Sequence, residues 1–289
     1  MKFHLNLIEK IVIRYYRPLL YSYFVMVALL TFIAIYFELS EVAFMVNSLL
    51  FALVSLAICV PVYKTKKIAE LNDVAFDMYA MLGACNQMIE TCNPKDTVRI
   101  SSFCLLRITG LINIGDFDRA EQELKSYWQC FNLRKIHPSD IVQSHISMAN
   151  IALEKENPTL FNNEMRIVYE YGNNSTIVGP LRHTYNHSVK NIQLLAEAYC
   201  ADKNSNAQDY ERRVFESLNT NVLNGKPLKK PPQPMHNLMA MNQLFLFYKN
   251  QGDVNKAIYY AQQIMYIGNE QLSDYRRAKE YLENENRSN

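Results

Sequence analysis

Two charge-free runs dominate the N-terminal quarter of the chain. Residues 18–37 read PLLYSYFVMVALLTFIAIYF, and residues 42–63 read VAFMVNSLLFALVSLAICVPVY. A helix of about twenty residues, rising about 1.5 Å per residue, covers the roughly 30 Å of a bilayer core. Only Glu38, Leu39, Ser40 and Glu41 separate the runs, which predicts a tight transmembrane helical hairpin over 18–63. A buried helix of a soluble protein usually carries a polar side, and a secretory signal has an apolar stretch of only about 7–15 residues. Neither describes these runs. Ahead of them, Met1, Leu5, Ile8, Val12 and Tyr15 recur at helical spacing, with Lys2, Glu9 and Lys10 largely off that stripe. This predicts an amphipathic cytoplasmic lead-in over 1–17.

From residue 68 to 289 the apolar positions follow a period near 3.6, interrupted every 12–20 residues by turn signals. Helices are predicted over 68–91, 97–113, 117–130, 139–155, 159–171, 181–201, 206–220, 235–250, 254–268 and 271–285. Asn93-Pro94, Gly115-Asp116, His137-Pro138 and Asn157-Pro158 mark breaks. NGKPLKKPPQP over 224–234 reads as an extended loop. Strand alternation is not evident, so the fold class is all-α. Short helices joined by short turns predict stacked helical hairpins, an α-solenoid.

One local pattern occurs twice. Gly115-Asp116-Phe117-Asp118-Arg119-Ala120 matches Gly252-Asp253-Val254-Asn255-Lys256-Ala257 as G-D-x-x-x-A, and the glycines stand 137 positions apart. That is close to four periods of 34, the tetratricopeptide length. On these residues the region 68–289 resembles a tetratricopeptide-like repeat domain. The resemblance implies that Gly115 and Gly252 end the first helix of a pair. It also implies that Ala120 and Ala257 let the second helix approach closely, with Leu244, Phe245 and Tyr248 as packing residues. The matched units cover about 101–134 and 238–271. The intervening pairs, with Asn157-Pro158 and Asp202–Asn206 at their turns, depart from the pattern.

Charge orients the hairpin. Lys2, Lys10, Arg14 and Arg17 precede the first run, and Lys64, Lys66 and Lys67 follow the second. The positive-inside rule therefore places both termini in the cytoplasm, at a cell (inner) membrane. Removing residues 1–67 leaves the rest with 23 basic and 25 acidic residues. The basic excess of the whole chain, +2, thus belongs to the membrane flanks, and no field suited to nucleic acid remains.

Candidate chemistry is sparse. The cysteines, Cys59, Cys85, Cys92, Cys104, Cys130 and Cys200, form no CxxC and read as small apolar packing. His183 and His187 are an i, i+4 pair without an HExxH motif. No nucleophile elbow or Gly-rich phosphate loop is present, so no catalytic, cofactor or metal residue is nominated. Asn47 is the one strongly polar side chain inside a run, near its outer end. Arg107, Asn113, Asn242 and Lys249 lie on first helices of the predicted pairs, which line the concave side of such an array, and form the candidate partner-binding face. The expected function is a membrane-anchored interaction scaffold for a cytoplasmic or membrane protein partner, with homo-oligomerisation through the hairpin also expected. The alternatives are an auxiliary subunit of a membrane transport complex and an enzyme on an all-helical scaffold.

Overall fold

The computed structural model describes residues 3–37, 40–131, 136–173, 179–219, 222–223, 226–227 and 234–288. The fold is all-α. Among the described residues the one exception is a two-residue antiparallel pairing of Val222–Leu223 (β1) with Lys226–Pro227 (β2). The remainder of the expected 224–234 loop lies outside the described residues.

The first helix, α1 (Leu7–Phe37), starts from a reciprocal cap. Asn6 Oδ1 accepts from the Glu9 amide at 2.8 Å, and Glu9 Oε2 accepts from the Asn6 amide at 2.9 Å. Pro18 lies inside α1. It cannot donate to the carbonyl of Arg14, and its ring crowds that carbonyl. The helix bends there by 72° between Leu7–Tyr15 and Arg17–Ile33. The second helix, α2 (Ser40–Asp73), packs along α1 and continues well past the apolar run. Among the described residues no single helix is long and apolar enough to cross a membrane; the bent pair within α1 passes on length and composition. The expected apolar stripe of the lead-in is divided: Leu5 is buried against the helical array while Ile8 and Tyr15 face outward, and Ile13, off that stripe, is buried as Leu5 is.

The stretch expected as one helix over 68–91 is two. It is the end of α2 and a separate α3 (Met78–Thr91), broken at Phe76 and Asp77. Phe76 takes a positive φ of 51°, and Asp77 caps α3 by accepting from the Ala80 amide. No glycine or proline marks this break, which is why the apolar periodicity runs across it.

Four hairpins follow: α4 (Thr97–Asn113) with α5 (Phe117–Cys130), α6 (Pro138–Glu154) with α7 (Pro158–Gly172), α8 (Pro180–Tyr199) with α9 (Ala207–Asn219), and α10 (Pro234–Gln251) with α11 (Val254–Ile267). The last helix is α12 (Ser273–Ser288). Three of the hairpin turns share one geometry. Gly115 and Gly252 have φ of 75° and 87°, and Glu156 stands in the same conformation at 51°. The next amide returns to the carbonyl five residues back: Asp116 to Leu111 at 2.9 Å, Asn157 to Ala152 at 2.8 Å, Asp253 to Tyr248 at 3.0 Å. Asp116, Asn157 and Asp253 then cap the following helix. The positive φ satisfies the last carbonyls of the first helix, and the Asx side chain satisfies an orphan amide of the second. Glycine is the residue without a Cβ penalty there, but Glu156 shows that the turn forms without it. Ala120 and Ala257 are fully buried where each pair closes.

Gly115 and Gly252 are separated by three hairpin steps, not four. Each step is therefore about 46 residues, longer than the roughly 34 of tetratricopeptide repeats. Among the described residues two hairpins, α6–α7 and α8–α9, lie between those of Gly115 and Gly252, where four periods of about 34 would require three.

First helices contact one another in order, α4 with α6, α6 with α8, α8 with α10. The series then closes. Helix α10 contacts α2, α2 contacts α3, and α3 contacts α4. One apolar cluster spans the closure, joining Leu5, Ile68, Leu71 and Met81 to Leu244, Phe245 and Phe247. An open array leaves the apolar faces of its end units uncovered; here the two ends cover each other. Helix α10 consequently has neighbours on every side, and Leu244, Phe245, Leu246, Phe247 and Tyr248 are all buried in succession. The segment leading into α12 seals the junction. Asn269 donates to the Phe76 carbonyl at 3.1 Å, Ser273 to the Asn113 carbonyl at 3.1 Å, and Arg276 to the Ile114 carbonyl at 2.6 Å.

Candidate functional site

Closure leaves a central cavity of about 320 Å³. Its wall comes from the polar stripes that the first helices turn inward. Thr109 and Asn113 supply α4; Gln143, Ser147, Asn150 and Glu154 supply α6; His187 and Asn191 supply α8; His236, Asn242 and Gln243 supply α10. On α4, α6 and α8 these positions recur at three- and four-residue spacing, so each of those sets lies on one helix face; on α10, His236 and Gln243 stand seven positions apart, with Asn242 beside Gln243. Asn72 and Asp73 at the end of α2, and Ser273 and Asp274 at the start of α12, complete the wall. Ile112, Ile146, Leu195 and Met239 add apolar surface.

Most of the amides are tied to neighbours. Asn113 Nδ2 donates to Asn72 Oδ1 at 3.1 Å, and Asn72 Nδ2 donates to Asp73 Oδ1 at 2.6 Å. Asn191 accepts from Ser217 Oγ at 2.7 Å, its Nδ2 meets His187 Nδ1 at 3.1 Å, and Gln243 donates to its carbonyl. Asn242 is different. It is 5% exposed, and its Oδ1 has no hydrogen-bond partner. A buried acceptor left unfilled costs about 1–3 kcal/mol.

The electrostatics are one-sided. Asp73, Glu154 and Asp274 line the cavity, and no Lys or Arg does among the described residues. Arg277 stands behind the wall, pairing with Glu154 and, at 3.9 Å, with Asp274. Burial raises the Asp274 carboxyl to about 6, with Arg277 opposing and Glu154 reinforcing the shift. Burial lowers the His187 imidazole below its ordinary range, helped by His236 and His183. The His187 and His236 rings lie 5.5 Å apart where α8 meets α10.

Two of the four residues expected on a binding face, Asn113 and Asn242, are on this wall. The other two are not. Arg107 joins Glu123 of α5 and Asn86 of α3, both at 2.8 Å, and so holds helices together. Lys249 is exposed near the end of α10 and does not line the cavity. The wall residues of α6, and Asn191 of α8, are not singled out by the sequence, although the inward spacing of Gln143, Ser147, Asn150 and Glu154 is readable there. The histidine that joins His187 at the site is His236, not His183.

No protein-family model matches the chain, and no curated protein or solved structure matches it significantly. The site therefore stands on its own chemistry. Cys85 and Cys92 offer none: both are buried, and burial pushes their thiols up to about 12 and about 11. Such thiols stay protonated and unreactive at neutral pH. Among the described residues no group of three or more His, Cys, Asp or Glu side chains is arranged to hold a metal ion.

Proposed function

We propose that this protein is a membrane-anchored interaction module. In this reading α1 and the first half of α2 form a two-span hairpin, both termini lie in the cytoplasm, and the helical array meets a protein partner at the inner face of a cell membrane. The observation that carries it is the outward surface of the two charge-free runs. Tyr21, Phe32 and Phe44 are 71%, 70% and 75% exposed, with Phe24, Leu29, Leu49 and Phe51 also facing out. Exposed apolar surface on this scale needs a lipid or protein cover. The basic flanks favour the orientation. Leu5 and Ile13, buried against the array, couple it directly to the hairpin.

The array is, in this reading, a helix-pair solenoid related in its turn chemistry to tetratricopeptide repeats. Support comes from the shared turns at Gly115, Glu156 and Gly252 and from buried Ala120 and Ala257. An anchored array raises the effective concentration of its partner at the bilayer.

Alkaline extraction of membranes containing the full chain, combined with reporters fused in the 38–41 turn and at the C-terminus, tests the anchor. Retention in the membrane with the turn outside is expected; release by alkali overturns the reading. In-cell crosslinking of the full chain then reads out the partner.

A second reading, a subunit of a membrane transport complex, is favoured by one atom. Asn47 Oδ1, in the second run, is buried without a hydrogen-bond partner. Such an amide can bond across to a neighbouring membrane helix. Loss of a crosslinked membrane partner, or of a second copy, on Asn47→Leu would support that reading.

A further inference from the structure

The short arm of α1 ahead of its bend, Leu7–Tyr15, has two unlike faces. One is spoken for. Glu9 and Ile13, four positions apart, share it. Ile13 is buried against the array, and its carbonyl accepts from Arg99 Nη1 of α4 at 3.4 Å. Glu9 pairs with Lys64 of α2 at 2.9 Å. Just beyond the arm, Arg17 pairs with Asp96 at 3.0 Å. The other face is bare. Leu7 and Ile8 are 74% and 72% exposed, and Ile11 and Tyr15 continue the same stripe at four- and seven-residue spacing. Lys10 and Arg14, also exposed, stand three positions after Leu7 and Ile11 and so run along one edge of that stripe. Among the described residues neither is paired with a carboxylate.

We propose that this face rests on an anionic lipid leaflet, with Leu7, Ile8, Ile11 and Tyr15 entering the headgroup boundary and Lys10 and Arg14 meeting lipid phosphates. The inference rests on the membrane reading above and adds to it the class of lipid and the surface that meets it.

Three observations favour lipid as the cover. The first is continuity. Exposed apolar surface goes on beyond the bend, through Leu19 and Tyr21 to Phe24 of the first charge-free run, so one cover serves both arms. The second is the bend itself. The arms Leu7–Tyr15 and Arg17–Ile33 meet at 72°. With the longer arm across a bilayer, the shorter one lies close to the membrane plane, the array fills one side of it, and the bare face is left for lipid. The third is charge. The one acid of the arm, Glu9, is turned away to Lys64, so the bare face carries cations only. A helix lying in the interface sinks its apolar stripe about 5–10 Å into the headgroup and acyl boundary and keeps long basic side chains at its edge. Anionic headgroups attract such cations within a Debye length. A second copy of the chain, packed on this face about a two-fold axis, would instead bring Lys10 and Arg14 against their own like charges. The ties from Ile13, Glu9 and Arg17 to α2, α4 and Asp96 leave the arm no independent swing, so a docked arm holds the array against the bilayer in one orientation.

Trp128 is the one tryptophan of the chain, which gives a simple readout. The full chain carrying Ile8→Trp is reconstituted in phosphatidylcholine vesicles with and without phosphatidylglycerol, using lipids brominated high in the acyl chain as quenchers. The wild-type chain supplies the Trp128 baseline, and Phe32→Trp, inside the first run, reports the anchor. Quenching of Ile8→Trp above that baseline is expected, stronger with phosphatidylglycerol. Adding Lys10→Glu and Arg14→Glu to Ile8→Trp should lower the docked-to-undocked ratio in the anionic vesicles at least about tenfold. Quenching of Phe32→Trp alone overturns this proposal and leaves the anchor standing. Quenching of Ile8→Trp alone supports the lipid contact and overturns the anchor; quenching at neither position overturns both. Quenching of Ile8→Trp that is equal in the two vesicles and unchanged by the charge reversals overturns the assignment to anionic lipid.

Discussion

Arg277 of α12 and Glu154 at the end of α6 form an ion pair across 123 positions of sequence. The pair, with Tyr199 and Asp274 on the other side of the guanidinium, fastens the last helix onto the middle of the array. Both side chains are largely shielded from water. Removing one partner of a shielded pair strands the other. Arg277→Ala should therefore cost about 3–5 kcal/mol. A thermal midpoint within a degree of wild type would show that the pair does not hold the closure. Glu154→Gln combined with Arg277→Ala should recover part of the loss, since the stranded carboxylate is then gone.

The turn glycines are not equivalent. A Cβ at Gly115 would stand 3.0 Å from the Ser273 Cβ, whereas a Cβ at Gly252 meets nothing within 4 Å. Both positions have positive φ, which costs about 1–2 kcal/mol for an L-residue. Gly115→Ala should thus destabilise more than Gly252→Ala. Glu156→Gly should stabilise by about 1 kcal/mol, because it removes that backbone strain from an exposed residue. Chemical denaturation of the three variants checks the order. Ala257→Arg, which puts a long charged chain into a fully buried contact, should be the most damaging change at these turns.

Acidity should act through Asp274. Its carboxyl titrates near 6 in the folded chain, above the ordinary 3.8, because burial outweighs the attraction of Arg277, and Glu154 adds repulsion. The folded state therefore holds the proton more tightly than the unfolded state. Stability from this group is present below about pH 4 and is lost as pH rises through 6. Asp274→Asn should gain about 1–3 kcal/mol over wild type at pH 7.5, and the gain should vanish near pH 4. Melting curves at the two pH values test the sign; a gain at pH 4 that disappears at pH 7.5 would refute it.

The N-terminal segment should count as part of the core. Leu5 and Ile13 are 1% exposed and pack with Ile68 and Leu71. Leu5→Ala should cost about 2–5 kcal/mol. Ile8→Ala, at a position facing outward, should change stability by less than about 0.5 kcal/mol. Equal effects of the two substitutions would show that the segment is not docked.

Much of this was legible in the linear pattern. The helices from residue 97 onward begin and end near the breaks at Gly115, Asn157-Pro158 and Gly252, because capping and positive-φ chemistry act within a few residues. Asn113 and Asn242, which the linear pattern places on first helices, stand on the cavity wall. The break at Phe76 was not legible, since a bulky residue in a positive-φ conformation leaves no compositional mark. Arg107 gives no such signal, because a lone arginine on a helix looks the same in the linear pattern whether it is free or, as here, holds Glu123.

Helical class, the charge-free runs and the turn geometry follow from the sequence by itself, because each depends on neighbours within about one helical turn. The closure of the array, the number of hairpin steps between Gly115 and Gly252 and the acidic cavity belong to the tertiary structure alone. They depend on contacts such as Asn269 with Phe76 and Arg277 with Glu154, between residues more than a hundred positions apart. Periodicity tells which face of a helix is apolar, but it carries no information about which other helix will cover that face.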